Sequence, residues 1–97
     1  MVYMGGERVS FTTHAKDVFV KRKLDEKEVL NAVNSADEVF LDRRSNLMVA
    51  VKGNDLAIVV VYDVIDDRFR VVTAFKTSKL VKLIRSRLDK GYWVRVR

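Results

Sequence analysis

Apolar positions along this chain recur with a period of two in some stretches and with helical spacing in others, and the switches mark its elements. Residues 7–12 alternate, with Val9 and Phe11 on one side, which predicts a short strand. Thr12 or Thr13 can then cap a helix by accepting a hydrogen bond from an otherwise unpaired backbone N–H. Behind that cap Ala15, Val18 and Phe19 follow helical spacing and predict a core-facing stripe. Asp25 followed by Glu28 has the spacing of a capping box for a second helix over residues 26–35. Val29, Leu30 and Val33 form its apolar side, and the two helices together predict a hairpin.

From residue 38 the period becomes two. Glu38–Asp42 reads as a strand with Val39 and Leu41 on one face, and residues 46–52 as another in which Leu47, Val49 and Val51 alternate with Met48, Ala50 and Lys52. Gly53-Asn54 suits a tight turn because both residues tolerate positive φ. Residues 56–64 are almost wholly apolar and β-branched, the composition of a central strand covered on both sides. After a turn at Asp66-Asp67, residues 68–75 predict a strand with Phe69, Val71, Thr73 and Phe75 on one face and Arg68, Arg70, Val72 and Ala74 on the other. Ser78 is the expected cap of a last helix running to Asp89, with Leu80, Val81, Leu83, Ile84 and Leu88 in its buried arc. Gly91 is the expected left-handed stop, and residues 92–97 read as a final short strand. The order β-α-α-β-β-β-β-α-β predicts an α+β fold: an N-terminal strand and helical hairpin, a four-stranded antiparallel meander, and a C-terminal helix with a short strand. Helices pack on one face of the sheet or are split between both.

Length and composition narrow what such a body can be. Ninety-seven residues support one domain over the whole chain. With 48% hydrophobic and 33% charged residues it can bury a core, so it reads as neither a disordered tail nor a membrane protein. The apolar run over residues 57–62 is far short of the ~20 residues a membrane span needs. Residues 1–6 lack the charged start and apolar stretch of a secretory signal, which makes a cytoplasmic location the expectation. The absence of cysteine excludes disulfides, thiolate catalysis and zinc–thiolate sites. A metal site built around the single histidine would need clustered carboxylates, and none stands out; no cofactor is expected. Lack of cysteine, proline and glutamine at high charge is compatible with a thermophilic source.

Charge is distributed unevenly. Residues 25–42 hold six acidic residues against one basic, whereas residues 76–97 hold eight basic against one acidic. The last quarter alone therefore exceeds the formal net charge of +6. Such concentration favours a polyanionic partner such as nucleic acid, although a solvated basic helix that keeps the protein soluble has the same appearance.

Two blocks carry a resemblance. "HAKDVFVKRKLDEKEVLNAV" pairs His14-Ala15 with Arg22, Leu24 and Val29, and "VVVYDVIDDRFRVVTAF" ends in paired strands with Val-Val-Thr. Together they are similar to a family of small domains of unknown function, over roughly residues 10–76. That family resembles in fold the RelE and BrnT toxins of toxin–antitoxin pairs, mRNA endonucleases neutralised by a partner protein. The resemblance implies a RelE-like fold, a toxin-like RNA-interacting or metal-independent endoribonuclease function, and an antitoxin-like acidic partner. Val18 stands where members often carry an arginine, which removes one phosphate-binding group. The basic segment from Lys76 onward extends past the point where many members stop.

Metal-free RNA cleavage needs a base, an acid and cations around the phosphorane. His14 titrates in the useful range, and Arg22 and Arg70 supply candidate cations. His14 and Arg22 share one helix side but lie ~12 Å apart along its axis. A histidine at a helix start also reads as structural, and Arg22 as a partner for Asp17 or Glu26. Strand parity predicts a basic strip on one sheet face from Lys52, Arg68, Arg70 and Lys76, suited to a nucleic-acid backbone; edge lysines and arginines that block strand pairing look the same. The last helix adds Lys79, Lys82 and Arg85. Tyr92 and Trp93 read either as stacking rings or as core. Gly5-Gly6 lacks the lysine and helix of a phosphate loop. The alternative function is a non-catalytic nucleic-acid- or protein-binding module, with a homodimer among the assemblies considered and no membrane partner.

Overall fold

The computed structural model describes residues 9–96. Glu7, Arg8, the Gly5-Gly6 pair and Arg97 lie outside the described residues. Strand β1 (Val9–Phe11) leads into α1 (Thr13–Arg22) through Thr12, whose hydroxyl accepts the Ala15 N–H at 3.0 Å. Helix α1 stops at Lys23, which adopts φ 55° and donates its N–H back to the Phe19 and Val20 carbonyls. Leu24 also donates to the Phe19 carbonyl, so the left-handed residue closes the helix end as a glycine would. Helix α2 (Glu26–Asn34) follows at once, and both halves of its capping box form: Asp25 accepts from Lys27 N–H, and Glu28 accepts from Asp25 N–H.

Strands β2 (Glu38–Asp42), β3 (Leu47–Lys52), β4 (Ala57–Ile65) and β5 (Arg68–Thr77) come next, then α3 (Leu80–Asp89) and β6 (Trp93–Arg95). The fold is α+β, with three helices and a six-stranded mixed sheet in the order β1-β5-β4-β3-β2-β6. The sheet is wider than the expected four strands. β1 adds parallel to β5 at one edge, and β6 adds antiparallel to β2 at the other. The remaining neighbours are antiparallel. Gly53, at φ +106°, turns the chain between β3 and β4 where an added Cβ would lie 3.1 Å from the Leu56 carbonyl oxygen. Asp66 and Asp67 both take positive φ, the backbone of a two-residue hairpin loop between the paired Ile65 and Arg68.

The sheet is buried on both sides. Helices α1 and α2 cover one face through Ala15, Phe19, Val29 and Val33, packed on Ala50, Val60, Tyr62 and Val71. Helix α3 covers the other through Leu80 and Ile84, packed on Phe40, Val49, Val51 and Val59. Phe11 meets Phe19 edge-on in the first core, and Phe40 meets Trp93 at 5.1 Å in the second.

Two local expectations change. Strand β5 runs to Thr77, so the Thr77 hydroxyl takes the Lys79 N–H and the cap position falls on Lys79, not Ser78; Lys79 makes no side-chain cap bond. Strand β5 also carries an irregularity opposite Val61 and Tyr62, which pair with Thr73 and Val71. The extra residue, Val72, reverses the alternation. Phe69 and Val71 therefore belong to the α1–α2 core, whereas Phe75 packs against the α3 core.

Because Phe40 is fully buried, Phe40→Ala is expected to lower stability by about 3–5 kcal/mol. Val20 is 80% exposed, so Val20→Ala is expected to change it by less than about 0.5 kcal/mol. Urea unfolding of both variants checks the contrast.

Candidate functional site

Cations on the strands come first, because the sheet fixes their neighbours. The reversal at Val72 divides the expected basic strip. Lys52 and Lys76 both stand opposite Ile58, on the α1–α2 side, whereas Arg70 stands opposite Asp63 and Arg68 opposite Ile65 on the α3 side. Each half meets its own acids. Lys52 donates to the Ser35 carbonyl at 3.0 Å and lies 3.7 Å from Asp37. Lys76 pairs with Glu28 at 2.9 Å. Arg70 grips Asp63 with two hydrogen bonds, Nε to Oδ1 at 3.2 Å and Nη2 to Oδ2 at 2.7 Å. The hydrogen bond with Asp63 raises the Arg70 pKa above its ordinary value. Arg95 pairs with Glu38. Arg68 is exposed beside a depression that it shares with Ser10, Ile65, Asp66 and Arg70.

The three candidates for cleavage chemistry do not converge. His14 is exposed in the first turn of α1, on the side of the sheet that α1 covers. Arg70 projects from the opposite side. Arg22, at the far end of α1, pairs with neither Asp17 nor Glu26; its Nη1 donates to the Ala74 carbonyl at 2.8 Å. That carbonyl lies beyond Val71, where β1 stops pairing with β5, so the guanidinium closes a stretch of sheet edge that β1 leaves uncovered. Val18 is buried.

Helix α3 gives a different picture. Leu80 and Ile84 turn inward, leaving Lys79, Lys82 and Arg85 exposed, and none of the three has an ion pair among the described residues. Lys79 and Lys82 line a groove of about 430 Å³ between α3 and β5, together with Phe75, Thr77, Leu83 and Arg87. Lys79, Lys82 and Arg85 line an adjoining hollow of about 630 Å³ with Asn54, Asp55 and Ser78. At the other end of α3 the Arg44 guanidinium lies 3.9 Å above the Tyr92 ring, and Lys90 approaches the same ring at 5.9 Å. Arg87 stands 5.9 Å from the Trp93 ring, and Trp93 itself is buried. Six cations thus line α3 and its C-terminal neighbour, and no ion pair holds them among the described residues. Arg87 and Lys90 lie in the basic last quarter and were legible from charge alone. Arg44 comes from the β2–β3 turn, and no spacing in the sequence links it to α3. Among the described residues no cluster of histidine and carboxylates could hold a metal ion, and no helix is long and apolar enough to cross a membrane.

A family model, described as domain of unknown function DUF4258, matches residues 11–76. The chain belongs to this family. No curated protein and no solved structure matches the chain. The DUF4258 segment takes in α1, α2, strands β2 to β4 and nearly all of β5. Helix α3 and its cations lie outside it.

Glu28 sits below its ordinary carboxylate pKa, first because Lys76 donates to it and then because the Asp25 backbone N–H does. A lowered folded-state pKa contributes stability above the unfolded value, and that contribution is lost as pH falls through the folded one. Glu28→Gln keeps a capping side chain but removes the charge. It is expected to cost about 0.5–1 kcal/mol at neutral pH, the range of an exposed pair, with the difference fading as pH falls below 4.5. Unfolding midpoints across that pH range check the sign.

Proposed function

We propose that this chain is a toxin-like RNA-interacting protein that holds its ligand along α3. One observation carries the reading: the strand cations Lys52, Arg70, Lys76 and Arg95 are matched with carboxylates, while Lys79, Lys82, Arg85, Arg87, Lys90 and Arg44 are not. A row of unmatched cations on a rigid helix displaces counterions from a phosphate backbone, which supplies most sequence-independent affinity. The RelE-like arrangement and the toxin role rest on the resemblance of the two sequence blocks. Cleavage has weaker support than binding, because His14, Arg22 and Arg70 share no common centre. The favoured form of the reading is therefore a non-catalytic RNA-binding module.

A second reading has its own observation. Val81 is 69% exposed in the middle of the basic row, and with Ile84 and Leu88 it lines a depression of about 320 Å³ rimmed by Arg85 and Arg95 and by Glu38 and Asp89. A partner segment with one apolar face, as an antitoxin-like protein would offer, suits that depression.

Fluorescence anisotropy with a labelled RNA tests the first reading. Binding is expected at low salt, and its logarithmic salt slope should flatten by about 2–3 in the triple variant Lys79→Ala, Lys82→Ala, Arg85→Ala, close to one unit for each lost phosphate contact. The RNA should remain uncut with or without ribosomes. No measurable affinity at low salt would remove the reading, and cleavage would restore the nuclease.

A further inference from the structure

We infer that the RNA this surface takes is double-stranded and is gripped by its phosphates, an inference that rests on the RNA-binding reading above. Proteins that hold single strands combine a cationic groove with open aromatic rings on which bases stack. The rings beside α3 are buried or half-buried. Trp93 is buried against Phe40. Tyr92 is half-buried, and the Arg44 guanidinium rests on its ring. Phe75 reaches the α3–β5 groove but is half-buried, packed against the core beneath α3. The other described aromatics stand on the far side of the sheet, where Phe11 packs with Phe19 and Tyr62 with Phe69.

Without stacking, attraction to the surface depends on the density of ligand charge. A duplex lays the phosphates of two strands along one axis, one per ~1.7 Å in B-DNA against one per ~3.4 Å for either strand alone, and an RNA duplex likewise doubles the charge of its single strand. The cations are set on a rigid element: from Lys79 to Lys90 the chain advances ~16 Å at helical rise, enough to follow several phosphates of one backbone. A duplex keeps its bases stacked on each other, so it gives up nothing by meeting a surface without free rings. A flexible single strand must be ordered along the row with no stacking in return.

The test is a pair of titrations with wild-type protein at one low salt concentration. One probe is a labelled RNA of about 20 nucleotides that does not pair with itself; the other is the same strand annealed to its complement. The duplex is expected to bind at least about fivefold more tightly. Equal affinity, or tighter binding of the single strand, would overturn the inference while leaving the RNA-binding reading intact. Failure of both probes to bind would instead sink that underlying reading.

Discussion

Strand β4 has to be buried on both of its faces, and that requirement organises the molecule. Val59 and Val60 are both wholly inaccessible and point to opposite sides, one into the α3 core and the other into the α1–α2 core. A strand of this kind cannot stand at an edge or leave one side to water. It must have neighbours on each side and a helical layer above and below. Strands β3 and β5 supply the first, and the division of the helices, two on one face and one on the other, supplies the second. The glycine turn before β4 and the Asp-Asp turn after it place those neighbours antiparallel and in register.

The same sheet decides which cations are free. A side chain on a central strand has fixed cross-strand neighbours, and evenly spaced acids on adjoining elements meet it there. Asp63 faces Arg70 directly, and Glu28 reaches Lys76 from the helix laid over that face. These pairs are exposed enough that each contributes little stability, but they cancel charge locally. Around α3 the acids at hand are otherwise engaged or set apart. Its own acid is Asp89; Glu38, on the α3 side of β2, is taken by Arg95, and Asp55 shares the hollow of Lys79, Lys82 and Arg85 without forming an ion pair with them. Asp25, Glu26 and Glu28 lie in α2 and its cap, on the far side of the sheet.

Much of this order is written in local pattern. The capping box at Asp25 and Glu28, the threonine cap of α1, the left-handed Gly91 and the apolar run of β4 each rest on contacts within a few residues, and local sequence specifies them. What escaped was set by contacts distant in the chain. A period-two reading assigns Arg70 and Lys76 to one face because six residues separate them. One unpaired residue, Val72, reverses that parity, and nothing in the composition of residues 68–77 marks it. The role of Arg22 was hidden for a similar reason: its acceptor is a backbone carbonyl on β5, which no side-chain pattern can signal. For the candidate site, the concentration of charge in the last quarter was visible. Which of the cations remain uncompensated depended on register and layer, and so required the fold.

Helix α3 also has a structural duty that its surface charge does not reveal. Its inner residues, Leu80 and Ile84, with Trp93 beyond them, cover Phe40, Val49, Val51 and Val59. All but Leu80, Ile84 and Trp93 in that group belong to the segment matched by the family model. Residues 11–76 alone would therefore carry a sheet with one face finished by α1 and α2 and the other bare, an apolar surface of the kind that drives association. In this chain the cover is a helix whose outer side is basic, so the element that completes the core also presents the charge. Substitutions on the outer side of α3 can then alter the charge of that surface without touching the core, whereas removal of the helix would destroy both at once.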